Sequence, residues 1–270
     1  MKKQEHTLGE NKIYVLQLIP DEKKFEYPLV FVHGSFGGFF MWKTITTYLV
    51  EHGFECISLS LRGHKPSGEA DLSKVHMQDY VDDIATVVQE LNLKNPVVIG
   101  HSMAGLLVLI YGKNYSTDIQ ALISIDPSPS LEVKGAGEEE KIKAIPLVYN
   151  AMDAGMPTDP MEVMKAMPDI PKEMLMIMKD MLGPESGLAR RDRKRGISVP
   201  RESLTVPTLF IGAELGDSLP FGISLESTQK MADYYNAEFV EIKGASHPGI
   251  IMGVHAKETA DKIDKWLTNL

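Results

Sequence analysis

The chain of 270 residues holds a single cysteine, Cys56, so no intrachain disulfide can form and a reducing compartment is expected. Cys56 lies in the apolar run Phe54–Leu61 and reads as a small core side chain. Long apolar runs are also missing. No stretch approaches the roughly 20 residues of a membrane-spanning helix. None follows Met1–His6 that could serve as a signal peptide. The expectation is cytoplasmic residence without integral membrane association. Positive charge is scarce: 28 Lys and Arg stand against 37 Asp and Glu, a net charge of −9. That balance argues against nucleic acid, whose phosphates need a cationic surface, and gives no attraction to anionic lipid. No pair among the eight histidines has helical metal-ligand spacing, so neither a metal nor another cofactor is expected.

What is present is an alternation of buried strands and helices. With 43% hydrophobic and 24% charged residues, the composition suits one globular core. Residues 5–19 read as a hairpin turning at Gly9-Glu10-Asn11. Strands follow at 27–32, 54–61, 96–100, 119–125, 207–212 and 238–242. Met77, Tyr80, Val81, Ile84, Val87, Val88 and Leu91 keep helical spacing, and Ala260 to Leu270 mark a closing helix. Strands apolar throughout, alternating with helices, predict a mostly parallel sheet covered on both faces. The alternation fails once. Between Asp126 and about Arg201 only helical stretches occur, so residues 127–201 are expected to form a helical lid inserted after the sixth strand. Residues 1–126 and 202–270 would then form the core.

Ser102 is the residue most informative about chemistry. It stands in Gly100-His101-Ser102-Met103-Ala104-Gly105, between the apolar stretch 95–99 and the apolar stretch 106–111. A serine between strand and helix, flanked by small residues, is a nucleophile elbow. Alanine at 104 replaces the usual glycine and remains small. A serine hydroxyl needs a base, an acid that orients the base, and donors for an oxyanion. His247, in Gly244-Ala245-Ser246-His247-Pro248-Gly249 after the last strand, is the expected base; His255 begins the closing helix instead.

These features resemble the α/β-hydrolases of the esterase and lipase type. The likeness covers nearly the whole chain: His33-Gly34, the turn Leu61-Arg62-Gly63-His64, the elbow at Ser102, the segment after Asp126, and His247. The resemblance implies an α/β-hydrolase fold and an acid after the penultimate strand, four residues before a proline. Counting back from Pro220 gives Gly216, so Asp217 is preferred, with Asp126 and Glu214 as alternatives. It also implies an oxyanion hole made by the N–H groups of Met103 and Ser35, with Phe36 the alternative second donor. Phe36, Phe39, Phe40, Met41 and Trp42 add aromatic bulk nearby.

Nine of the fifteen methionines fall in the lid segment, and Met174-Leu175-Met176-Ile177-Met178 is apolar on every side, which predicts burial on more than one face. Methionine adapts its shape, so the lid offers an apolar wall for a small apolar ester substrate. The run Arg190-Arg191-Asp192-Arg193-Lys194-Arg195 reads as a solvated face or hinge. The expected activity is cleavage of acyl or aryl esters, or lactones, through an acyl-enzyme. Other triad chemistry (hydroxynitrile lyase, cofactor-free haloperoxidase, thioesterase) and a ligand-binding role are the alternatives.

Overall fold

The computed structural model describes residues 1–220 and 222–270. Ten strands occur in chain order: β1 (Lys2–Leu8), β2 (Ile13–Ile19), β3 (Leu29–Val32), β4 (Cys56–Ser60), β5 (Val97–His101), β6 (Ala121–Ile125), β7 (Val148–Tyr149), β8 (Glu185–Ser186), β9 (Thr208–Leu215) and β10 (Glu238–Ser246). Eight of them form one sheet in the order β1-β2-β4-β3-β5-β6-β9-β10. β1 pairs with β2, and β2 with β4, antiparallel. The pairs from β4 through β3, β5, β6 and β9 to β10 are parallel. Parallel order forces each connection back over a face, which is why helices separate these strands.

Successive side chains of a strand point to opposite faces. Along β3, Val30 and Val32 join one core and Leu29 and Phe31 the other. α2 (Met77–Glu90), α3 (Met103–Tyr115) and α9 (Leu225–Tyr235) cover the first face. α1 (Lys43–Glu51), α10 (Gly249–Met252) and α11 (Ala256–Leu267) cover the second. β3, β4, β5 and β6 are buried along their whole length, as their unbroken apolar runs require. This is the mostly parallel, doubly covered sheet that the pattern predicted, in the α/β-hydrolase fold that the resemblance implied. Among the described residues no helix is long and apolar enough to cross a membrane.

Between β6 and β9 the chain leaves the sheet. This insertion holds α4 (Leu131–Lys134), α5 (Glu139–Lys143), α6 (Pro160–Ala166), α7 (Lys172–Met181), α8 (Gly187–Arg195) and the small β7–β8 ribbon. α7 departs from expectation. Met176 is 62% and Ile177 40% exposed, while Met178 is buried. The helix is amphipathic, with one face inward, because only one side has core to meet.

The insertion is fastened to the core by a buried polar cluster. Glu185 Oε1 accepts from the Tyr80 hydroxyl at 2.5 Å and from the Ser186 N–H at 2.7 Å. Glu185 Oε2 faces His64 Nε2 at 3.4 Å, and neither side chain reaches solvent. Burial works to raise the Glu185 carboxyl, but the His64 charge and the hydrogen bonds hold it down to about 2. Burial likewise works against the His64 charge, but Glu185 prevails and the imidazole is raised. The Glu185 contribution is present above its unfolded pKa near ~4.3 and lost as pH falls through about 2. The His64 contribution is present below ~6.5 and lost as pH rises through the raised folded value. Breaking a buried pair costs about 3–5 kcal/mol. Glu185→Ala is therefore expected to lower Tm by roughly 10 °C near pH 5.5, with a smaller deficit above the folded pKa of His64. Thermal unfolding at the two pH values checks this, and an unchanged Tm at pH 5.5 would show that the pair contributes nothing.

Candidate active site

Ser102 connects β5 to α3 with φ 59° and ψ −117°, a strained backbone for a residue with a side chain. The surroundings enforce it. A Cβ on Gly100 would lie 2.1 Å from the Ala104 carbonyl oxygen. One on Gly34 would lie 2.7 Å from Ser102 Cβ, and one on Gly105 2.6 Å from Pro127 Cβ. Ala104 itself is fully buried and fits with its methyl. The Ser102 N–H donates to the Ile125 carbonyl at 3.0 Å, and its own carbonyl accepts from Ser128 N at 2.9 Å, so residues on either side of Asp126 lock the turn.

His247 follows β10 and is buried. Its Nδ1–H donates to Asp126 Oδ2 at 2.5 Å, and the Ser102 hydroxyl donates to its Nε2 at 2.9 Å. A carboxylate only accepts, so this partner fixes the tautomer that leaves Nε2 free to take a proton. Asp126 follows β6 with φ 44° and is wholly buried. Its Oδ1 accepts from Ala213 N at 3.2 Å and from Thr228 Oγ1 at 3.4 Å.

The assignment of the acid to Asp217 is therefore corrected. Asp217 is exposed in the short turn Gly216–Ser218 after β9. Glu214 is exposed as well and accepts from Gly244 N at 2.7 Å. The carboxylate that reaches His247 comes from the neighbouring strand end. Gly216, at the position the resemblance reserved for the acid, makes room for it: a Cβ there would lie 2.9 Å from Asp126 Oδ2.

Two further groups position His247, the first of them without any mark in the sequence. Asp169, in the insertion, is buried; its Oδ2 accepts from Ser246 N at 2.9 Å and its Oδ1 from the Ser246 hydroxyl at 2.5 Å. A Cβ on Gly249 would overlap the Asp169 carboxylate, so a glycine is required there. His101 Nε2–H donates to the His247 carbonyl at 2.8 Å. Burial first, then His247, pushes the His101 imidazole well down, so it stays neutral.

The turn after β3 is held in the same way. His33 Nδ1–H donates to the Gly34 carbonyl at 2.7 Å, and its Nε2 accepts from Leu61 N at 2.9 Å. Burial, then the His64 charge, lowers His33 to about 3. Gly37 N closes the turn on the Gly34 carbonyl at 3.3 Å. Phe36 takes a left-handed φ of 67° and packs edge-on against Tyr149 of the insertion at 5.2 Å. Of the other bulky residues nearby, Met41 faces the site while Trp42 belongs to the core.

Ser102 opens onto two cavities. The smaller, about 50 Å³, is lined by Met41, Met156, Met167, Met178, Leu182 and Leu219. Three of these are methionines of the insertion, so part of the methionine-rich segment does form an apolar wall. The larger, about 170 Å³, is lined by Lys134, Arg190, Arg193 and Lys194. This corrects the reading of the basic run as a solvated face. Arg195 does lie outside, paired with exposed Glu139, and Asp192 pairs with His76. Arg193 turns inward, donating to Ser35 Oγ and Tyr149 Oη at 3.2 Å and to Ser128 Oγ at 3.3 Å.

Comparison with known proteins bears on this geometry. Residues 27–154 match the family described by the α/β hydrolase fold. An sn-1-specific diacylglycerol lipase of Xenopus laevis is 30% identical over 123 residues, 45% of this chain and 39% of that protein. A (lyso)-N-acylphosphatidylethanolamine lipase of Bos taurus is 28% identical over 123 residues, 44% of this chain and 35% of that protein. The chain thus aligns with well under two thirds of the length of these relatives. Among solved structures, a bromoperoxidase from Bacillus anthracis superposes with a TM-score of 0.73 at 20% identity, covering 99% of this chain and 100% of that one. E-2-(acetamidomethylene)succinate hydrolase gives 0.72 at 18% identity, covering 99% of each chain. By its sheet order, its elbow and these likenesses, the chain is an α/β-hydrolase in fold.

Proposed function

We propose that the protein is a serine hydrolase of carboxylic esters, with Ser102 as nucleophile, His247 as general base and acid, and Asp126 as the orienting carboxylate. The observation that carries this reading is the unbroken hydrogen-bonded chain from Ser102 through His247 to Asp126. His247 takes the hydroxyl proton as Oγ attacks the ester carbonyl carbon. The tetrahedral oxyanion is held by the N–H groups of Met103 and Ser35. Met103 N–H opens α3 and has no acceptor within the helix. Collapse breaks the ester C–O bond while His247 Nε2–H protonates the leaving alcohol. Water, deprotonated by the same imidazole, then releases the acid and restores Ser102. The insertion, residues 127–201, serves as the lid: both cavities at Ser102 have walls from it and from the core.

The lipase names of the relatives that match part of the chain support this chemistry. The small apolar cavity further points to short acyl groups. With p-nitrophenyl esters from acetate to dodecanoate, kcat/KM is expected to peak at butyrate or shorter. A p-nitrophenyl phosphonate is expected to leave a one-to-one adduct on the peptide containing Ser102. A folded protein that turns over no ester and takes no phosphonate would overturn the reading.

A further inference from the structure

Ser102 lies between an apolar cavity and a strongly basic one, and the second calls for a ligand of opposite charge. The larger cavity is lined by four cationic side chains, Lys134, Arg190, Arg193 and Lys194, with no aspartate or glutamate among the described residues of its wall. Among the described residues no carboxylate forms an ion pair with any of the four. Among the described residues Arg193 donates to hydroxyls, those of Ser35, Ser128 and Tyr149. Its Nε is buried and without a hydrogen-bond partner among the described residues. Arg190 rests over the Tyr149 ring at 4.6 Å, and Lys134 donates to the Lys194 carbonyl at 3.1 Å.

Gathering cations without a local counter-charge is costly, even in a protein with a net charge of −9. Burial, then the charges of Lys194 and Arg193, pushes the Lys134 ammonium down to about 8. The same residues present a planar guanidinium, its neighbouring hydroxyls and two ammonium groups to one space, a donor set that matches a carboxylate or phosphate. That space also touches Ser102 and Ser35, so an anion held there belongs to the molecule being cleaved.

On the reading that Ser102 cleaves esters, we propose that the substrate carries an anionic group, carboxylate or phosphate, which Arg193 and Lys134 bind in the basic cavity while the apolar part of the ester occupies the methionine-lined one. The site then selects charged esters over neutral ones of equal size. It also accounts for the inward turn of α8, which packing alone would not require of a charged helix.

The test compares monomethyl glutarate, dimethyl glutarate and methyl 4-phosphonobutyrate, with methyl ester cleavage followed by chromatography. The anionic esters are expected to exceed the dimethyl ester in kcat/KM by about tenfold or more, and the better of the two identifies the group. In Arg193→Gln this ratio is expected to fall by at least about tenfold. Should Arg193→Gln fail to fold, Lys134→Gln changes another side chain of the same cavity, and a smaller fall of the ratio, in the same direction, is expected. Direct binding of glutarate and inorganic phosphate to Ser102→Ala by calorimetry gives a readout independent of turnover, weakened by salt. No charge preference in the wild type, or a parallel loss on charged and neutral esters in Arg193→Gln, overturns the proposal. Phosphonate labelling of Ser102 and p-nitrophenyl acetate turnover are measured on the same preparation. If those fail, the hydrolase reading falls; if they succeed and no charge preference exists, only the anion site falls.

Discussion

Replacing Ser102 by alanine is expected to lower kcat on p-nitrophenyl butyrate by about 10^6-fold while the folded state persists. On the proposed reading the Oγ atom forms the covalent bond of the acyl-enzyme. Among the described residues its one side-chain hydrogen bond is to His247, at 2.9 Å. The backbone of the turn is held by other contacts: Ser102 N to Ile125, Ser128 N to the Ser102 carbonyl, and the glycines at 34, 100 and 105. Alanine keeps the Cβ that already fits, so Tm should move by only a few degrees. Ester binding should survive, because the two cavities keep every other wall residue, and KM should stay within a few-fold. Residual turnover would come from the oxyanion donors and binding alone, ~10^3–10^4 above water in comparable enzymes. Rates, KM and thermal unfolding on purified variant and wild type decide it. A variant within about tenfold of wild-type kcat would place the nucleophile elsewhere.

The sheet and the elbow were legible in the sequence because their causes are local. β3 through β6 are apolar on both faces because helices cover both, and that writes unbroken runs such as Leu29–Val32. The turn at Ser102 needs small residues two positions away on either side, so Gly100 announces it. His247 was legible for a different reason: one histidine stands on the loop after the last strand.

The carboxylate that meets His247 was legible only as an alternative to Asp217, since its position is a matter of contact between strands rather than spacing along the chain. Asp126 and His247 are 121 positions apart. The ends of β6 and β9 are adjacent in the sheet, so either can bring a carboxylate to the same imidazole. A sign in favour of Asp126 was Gly216, which a residue count treats as a missing acid and the structure treats as space left for Asp126.

The basic run shows the same limit. Charge along α8 is continuous, and only the packing of the helix decides that Arg190, Arg193 and Lys194 face the cavity while Arg195 meets Glu139 outside. Asp169 left no trace at all, because its partners Ser246 and Gly249 are 77 and more positions away.

Exchanging one carboxylate for its amide at the two rival positions should separate them by about four orders of magnitude. Asp126→Asn is expected to lower kcat by about 10^4-fold with little change in KM. The asparagine is nearly isosteric, so Ala213 N and Thr228 Oγ1 can keep an acceptor. What changes is the atom facing His247 Nδ1. If the amide nitrogen faces it, Nδ1 must accept, the proton moves to Nε2, and Ser102 loses its base. If the amide oxygen faces it, the tautomer is kept, but no negative charge remains to stabilise the imidazolium as it forms. Either way the loss falls on the chemical step, which is why kcat carries it. Asp217→Asn alters an exposed turn with no side-chain hydrogen bond to His247 among the described residues, so kcat is expected to stay within about twofold. The two single variants, each beside Ser102→Ala, also test whether the three groups act as a unit. Adding Asp126→Asn to Ser102→Ala should cost almost nothing further, because a base with no nucleophile to serve no longer matters. A large loss in Asp217→Asn, with Asp126→Asn near wild type, would return the acid to the loop after β9 and would require that loop to fold over His247 in solution.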